Sequence, residues 1–576
     1  MMASGATYAV PLDPLTIPKY LNQLEKPPVL APSVVTDPAT GTVISHDYQV
    51  DMTQFPAQML PPGLPATSVW GYGGLVVDPN PAAPAGSTIY YRSSPGPSFD
   101  AQRGIPINVQ WVNSLVDPVT NAPLAHLFAV DPTIHWADPA MFGKPQPPFL
   151  PFPPGYAQAQ SPVPVVPHLH GGEVESASDG NPEAWFTPGE VLRGRSFVKS
   201  RYTYANTQPA TTLWYHDHTL GLTRQNVYAG LAGIYTVRDP ADPNAAVLPT
   251  GNYDIPLVIQ DKMFNTDGSL SFPAVGINPD VHPYWMPEFF GDTMVVNGKV
   301  WPNLNVERRQ YRFRILNAAN ARFFTLSLSN GQRFVQIGSD GGYLQEPTAV
   351  RSLTLAPGER ADVLIDFSAL RPGTKVTLTN SAPAPFPLGI APDPNTVGQV
   401  MQFTVPANAP PAVTPPRLPK RLNTITALTA NAPTRTVTLN EVMGALGPTM
   451  VLLNGQMWDS TVSELPRVGS TEIWEIVNTT VDTHPIHLHL VQFQVVDRQN
   501  YDSARYTTDW TTLNGTPPLM QPTVPLSPAA YLMGRSTRPV DNERGWKDTV
   551  QAPPGQVTRL LVRFAPQEAA PTAAAP

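Results

Sequence analysis

The sequence predicts an all-β protein built from three sandwich modules in tandem, and three observations carry that expectation. The chain has 576 residues, more than one hydrophobic core usually organises. Short alternating runs rich in β-branched and aromatic residues recur from end to end, among them INVQWVN (107–113), YRFRILN (311–317), EIWEIVN (472–478) and TRLLVRF (558–564). Turn residues separate them, 71 Pro and 40 Gly in all, while the hydrophobic fraction holds at 41%, which fits loop-rich β structure rather than disorder. The third observation is a diverged internal repeat.

Pro-rich breaks at DPADPNAAVLPTG (239–251) and VPANAPPAVTPPRLPKR (405–421) divide the chain into modules at 1–240, 241–408 and 425–576, with a linker at 409–424. In the middle module VVNGKVWP (295–302) precedes YRFRILN, FTLSLSNGQRFVQIG and APGERADVLIDF (356–367). In the last, LLNGQMWD (452–459) precedes EIWEIVN, HPIHLHLVQFQVVDR (484–498) and APPGQVTRLLVRF (552–564), the same order. After Phe367 the middle copy continues through KVTLTN (375–380) and VMQFTV (400–405), whereas Phe564 is followed by APQEAAPTAAAP. The last module is therefore expected to lack two closing strands, leaving an open sheet edge and an uncovered apolar face.

Charged residues make up only 14% of the chain, the formal net charge is −8, and Lys and Arg are scattered. That pattern argues against a nucleic-acid groove or an anionic-membrane patch and favours small molecules or metals as partners. No apolar run approaches ~20 residues, and the start MMASGATYAVPLDPLTIPKY shows no basic segment followed by an apolar stretch, so neither a membrane span nor a secretion signal is predicted. Zero cysteines exclude disulfides, thiolate ligands and cysteine nucleophiles within this chain. They leave the compartment open, cytoplasmic or spore-associated.

Seven of the eleven histidines fall in PHLHGG (His168, His170), WYHDH (His216, His218) and HPIHLH (His484, His487, His489). Side chains alternate along a strand, so each H-x-H pair turns both imidazoles to one side, where they can share a metal. By the same parity His484 faces the other way and serves a different site. One such pair could equally be two satisfied surface histidines, but three pairs in separate strands point to metal. Six neutral imidazoles with no carboxylate or thiolate beside them suit copper or zinc better than calcium or magnesium, and three or four ligands per ion imply more than one ion. His46, His126, His135 and His282 stand alone and read as ordinary structural or surface residues.

The chain resembles the three-domain multicopper oxidases, most closely the bacterial spore-coat laccases and their bilirubin-oxidase-like relatives. The resemblance runs through WGYGG (70–74), PHLHGG, DGNPEAWF (179–186), LWYHDHTLGLTRQNVYAGLAG (213–233), YRFRILNAAN, LAPGERADVLIDF, HPIHLHLVQFQVVDR and GWKDTVQA (545–552). It implies three cupredoxin-type Greek-key domains, four copper ions, dioxygen as oxidant, and a phenolic or tetrapyrrole-like reductant. It further implies that His168 and His487 bind the type 2 copper, that His170, His216, His218 and His489 bind the type 3 pair, and that His484 is one ligand of the blue type 1 copper. Asp179 matches an acid that helps deliver protons as dioxygen is reduced to water.

The family's H-C-H motif, with a further His and an axial residue, is absent, and it belongs to the segment that the repeat comparison finds missing. Without that thiolate, His484 alone cannot hold a type 1 copper, and the covalent electron path to the cluster is lost. The expectation is a laccase-like oxidase impaired in this chain. A non-catalytic copper-binding or structural protein on a decayed oxidase scaffold is the alternative; a zinc hydrolase ranks last. The segment from Tyr501 to Asn542, rich in Pro and Thr, reads as a loop, either solvated or lining the approach to His484.

Overall fold

The computed structural model describes residues 10–139 and 160–568; the first nine residues and the last eight of the Ala/Pro tail lie outside the described residues. The chain is mostly β-sheet, arranged as three successive pairs of sheets of cupredoxin type. In the first pair, a six-stranded sheet runs in the order Thr88–Ser93, Thr67–Val77, Val43–Ala57, Ile107–Asn113 and Arg201–Tyr204, with Ser33–Thr36 added on Val43–Ala57. It is faced by a four-stranded sheet of Gly96–Gln102, Ala232–Arg238, Thr211–Asp217 and Pro167–His170. An aromatic seam closes the two together: Tyr48, Tyr72 and Trp111 from the larger sheet meet Phe99, Tyr215 and Tyr235 from the smaller, with Tyr72 and Tyr215 rings 4.8 Å apart. Each such ring pair adds about 0.5–1.5 kcal/mol beyond its buried area.

That seam decides where the histidines point. Leu169, Leu213 and Tyr215 face the sandwich core, so period-two alternation turns His168, His170, Trp214 and His216 to the opposite face of the smaller sheet. Antiparallel pairing sets His168 directly opposite His216 and His170 opposite Trp214. The same face packs Trp214, Ala232 and Ile234 against Val258, Leu316 and Ala318 of the middle module.

The middle and last modules test the repeat. In the middle module a seven-stranded sheet faces a five-stranded one, where Phe324–Leu328 lies between Ser352–Leu355 and Lys375–Asn380, and Gln399–Thr404 follows. The last module keeps the larger sheet: Arg435–Met443 pairs parallel with Thr471–Asn478, as Asp254–Lys262 does with Gln310–Asn317. Its second sheet has two strands, His484–His487 and Thr549–Ala552. Among the described residues nothing pairs with the other edge of His484–His487, and its residues are half-buried. The bare inner face shows at Val451 and Leu453, 50% and 54% exposed, whereas the corresponding strand Thr293–Val296 is wholly buried. The expected shortage of closing strands is thus a feature of the described fold.

One expectation needs correcting. The segment read as a loop from Tyr501 to Asn542 contains the helix Ser503–Asn514, capped by the Asp502 carboxylate on the Arg505 amide. Its Tyr506 and Trp510 pack with Tyr501, Tyr531, Val477 and Val557 on the outer face of the large sheet. His484 lies toward the inner face, beside Glu441. Thr and Ser lower helix propensity, but burial of two aromatic rings four residues apart outweighs that preference.

Candidate metal centre

The six predicted cluster histidines meet in one place. His168 lies 5.4 Å from His216, 5.0 Å from His218 and 5.9 Å from His487, centroid to centroid. It stacks on His489 at 4.0 Å, and His170 stacks on His487 at 3.6 Å. Groups of potential ligand atoms within 4.8 Å of one another form at His168, His170 and His487, and at His168, Asp179 and His489. The last-module pair reaches this point because Ile486 and Leu488 turn inward onto their own core, which aims His487 and His489 outward. His484 sits apart from the six, its Nε2 hydrogen-bonded to Thr480 Oγ1 at 2.7 Å and 3.7 Å from Glu441.

Hydrogen bonds fix which ring nitrogen is free. Nδ1 of His168 donates to the Asp179 carbonyl, Nδ1 of His216 to the Asp217 carbonyl, and Nδ1 of His487 to the Asp548 carbonyl. In all three, Nε2 is buried without a partner. A buried polar atom without a hydrogen bond costs about 1–3 kcal/mol, so three of them converging is expensive unless something binds them. A main-chain acceptor on the second nitrogen is the arrangement that orients an imidazole toward a metal and holds it in the neutral tautomer. His489 Nδ1 is held instead by Asp179 Oδ2 at 2.9 Å, and His170 uses Nε2, 3.0 Å from Thr549 Oγ1 and 3.3 Å from Asp548 Oδ1, leaving Nδ1.

Electrostatics agree with a ligand role. Burial pushes His168, His170 and His218 well below the usual imidazole range, reinforced by their histidine neighbours, and His216 down to about 3. Neutral imidazoles keep the lone pair that a metal needs. No carboxylate was expected beside these imidazoles, but two lie there, Asp179 against His489 and Asp548 against His170 and His487; the donor set of imidazole nitrogens still fits copper. A chamber of about 240 Å³ opens beside the cluster, lined by His216, His218, Trp214, Asp261 and Gly358 among others.

Two single histidines are satisfied as expected. His126 bonds Asn226 at 2.8 Å, and His282 bonds Thr133 and the Thr449 carbonyl. Within GWKDTVQA and LAPGERADVLIDF, Asp548 and Arg360 have roles that the sequence patterns did not indicate. Both are buried, 0% and 1% exposed, and joined by a two-pronged ion pair beside His170. Arg360 opens the buried strand Arg360–Asp366 and Asp548 directly precedes the strand Thr549–Ala552; Asp and Arg are almost never fully buried unpaired, but nothing in the sequence pairs these two.

The first and last modules thus share a centre of imidazoles, with the middle module packed behind it, which defines a metal-binding protein of tandem cupredoxin-type domains. Multicopper oxidase family models match residues 159–242, 277–374 and 414–571. The chain is 38% identical to the laccase of Bacillus subtilis (strain 168) over 96% of its own length and 94% of that protein's. It is 40% identical to multicopper oxidase LPR1 of Arabidopsis thaliana, over 87% of this chain and 79% of that one. Among solved structures, the multi-copper oxidase from Pediococcus acidilactici superposes with a TM-score of 0.65 at 24% identity, covering 98% of this chain and 89% of that one. The chain belongs to the multicopper oxidase family.

Proposed function

We propose that this chain is a laccase-like oxidase of the spore-coat laccase and bilirubin-oxidase group, with modules bounded near residues 240 and 409–424. In this reading His168 and His487 hold the type 2 copper, His170, His216, His218 and His489 hold the type 3 pair, and His484 occupies the position of one type 1 copper ligand, a site that this chain does not complete. The observation that carries it is the convergence of His168, His216 and His487 with Nε2 orphaned on each.

The family reaction takes one electron from each of four reductant molecules, phenolic or tetrapyrrole-like, and reduces dioxygen with four protons to two waters. Copper, when bound, supplies the one-electron chemistry and the site of dioxygen reduction. The chain's own residues orient that site and supply protons. Asp179 Oδ2 accepts a hydrogen bond from His489 Nδ1, while its buried Oδ1 has no hydrogen-bond partner and is the atom that can carry a proton toward the cluster.

Catalysis in this chain is impaired, because none of its 576 residues is a cysteine and, among the described residues, His484 has no complete ligand set beside it. A non-catalytic copper-binding role is favoured by that same observation. Copper loading followed by visible spectroscopy and an oxygen-electrode assay with a phenol tests the impairment that both readings share. Intense blue colour with oxygen consumption would mean an intact oxidase, and bound copper without either supports the impaired reading.

A further inference from the structure

The middle module contributes no imidazole to the cluster, yet one of its side chains reaches into it. Arg360 uses all five of its guanidinium N–H groups. Nε donates to the Thr212 carbonyl of the first module at 3.0 Å, and Nη1 to the Gly358 carbonyl at 3.1 Å. Nη2 donates to the Asp340 carbonyl at 3.2 Å, and one N–H on each Nη goes to the Asp548 carboxylate of the last module, at 2.7 and 2.5 Å. A single group therefore ties three modules. Around it Lys547 bridges Asp340 and Glu359 at 2.9 and 3.0 Å, so neither carboxylate is left uncompensated.

Asp548 stands between this guanidinium and two candidate ligands. Its Oδ1 lies 3.3 Å from His170 Nε2 and 3.6 Å from His487 Nδ1, and its carbonyl takes the His487 Nδ1 proton at 2.8 Å. Against the upward push of burial, the Arg360 guanidinium holds this carboxyl well below its usual range. The backbone is shaped to admit the pair. Gly171, directly after His170, has φ +84°, and a Cβ there would collide with the Asp548 carboxylate and the Arg360 guanidinium. Gly358 brings the middle module's turn so close that a Cβ would sit 3.1 Å from Cε1 of His170.

We infer that Arg360 is a positioning residue for copper: through Asp548 it sets the ring orientations of His170 and His487, so the module without ligands fixes the geometry of the ligands. The inference rests on the copper reading given above. Outer hydrogen bonds to ligating histidines typically change metal affinity about 10–100-fold, and a planar two-pronged partner is not replaced by an ammonium.

The test titrates Cu(II) into the full 576-residue chain against a chromophoric chelator and records the EPR spectrum of the bound copper. Variants are Arg360→Lys, Arg360→Gln, Asp548→Asn and the double R360Q/D548N. Arg312→Gln serves as control, since it breaks a buried ion pair with Asp362 elsewhere in the middle module. We expect about a 10–100-fold loss of affinity and altered copper hyperfine splitting in Arg360→Gln, a smaller change in Arg360→Lys, and no further loss in the double variant beyond Asp548→Asn. Arg312→Gln should lower thermal stability without changing affinity or spectrum. Wild-type affinity and spectrum in folded Arg360→Lys and Asp548→Asn would overturn the inference while leaving the copper reading intact. Failure of the wild type itself to bind copper would sink the copper reading first. If Arg360→Gln does not fold, the Lys and Asn variants decide.

Discussion

The imidazoles of His170 and His487 lie face to face, ring centroids 3.6 Å apart and planes inclined by 12°, though one belongs to the first module and the other to the last. Stacking of two neutral rings does not by itself justify assembling a cavity from both ends of a chain. The orphaned Nε2 atoms beside them do, because a bound ion recovers what each unpaired nitrogen costs.

His168 is the ring nearest all the others, so it is the most damaging to remove. His168→Ala is expected to lower copper content and affinity by at least tenfold, of the order seen when a metal site loses a direct ligand or its support. His484→Ala should leave cluster copper unchanged, because that ring is hydrogen-bonded to Thr480 and lies apart from the six. Metal analysis after loading and desalting reads both.

The metal-free protein should lose stability as pH falls from about 6.5. The buried histidines have folded pKa values below the ordinary 6.5, so the unfolded chain binds protons in this range and the folded one does not. Stability is full above that window and declines through it toward about 3, the value at His216. Denaturant midpoints at about pH 7.5 and pH 5 check the sign. Equal midpoints would contradict the neutral assignment.

Copper should stabilise the chain in proportion to its binding, by RT ln(1 + [L]/Kd), about 2.7 kcal/mol at a hundredfold excess over Kd. Chelation should reverse the shift. Because the ligands come from two modules, thermal scans should show the first and last modules melting more nearly together with copper than without it.

In the last module, Leu439 is 3% exposed within the core and Leu453 is 54% exposed on the uncovered inner face. Leu439→Ala should cost about 2–5 kcal/mol. Replacing Val451 and Leu453 together by Ser should change stability by less than about 0.5 kcal/mol and reduce self-association, read by light scattering. A loss for the double Ser variant as large as that for Leu439→Ala would mean that something covers this face.

Much of this was legible beforehand because strand period two is a local rule. It placed His168 with His170 and His487 with His489, and it separated His484 from both, using only positions in the sequence. The repeat located the thin side of the last module for the same reason, since both copies preserve order. Arg360 and Asp548 were not legible, because their pairing spans 188 positions and follows no periodicity. The helix Ser503–Asn514 was missed because only Tyr506 and Trp510 are buried, too few to show an apolar stripe in DSARYTTDWTT.

The most direct measurement is an anomalous difference map at the copper edge from a crystal of the copper-loaded chain. Peaks within bonding distance of Nε2 on His168, His216 and His487 together are predicted, with no peak at His484. Copper bound at one module alone, or density only at surface histidines, would contradict a centre shared by the first and last modules.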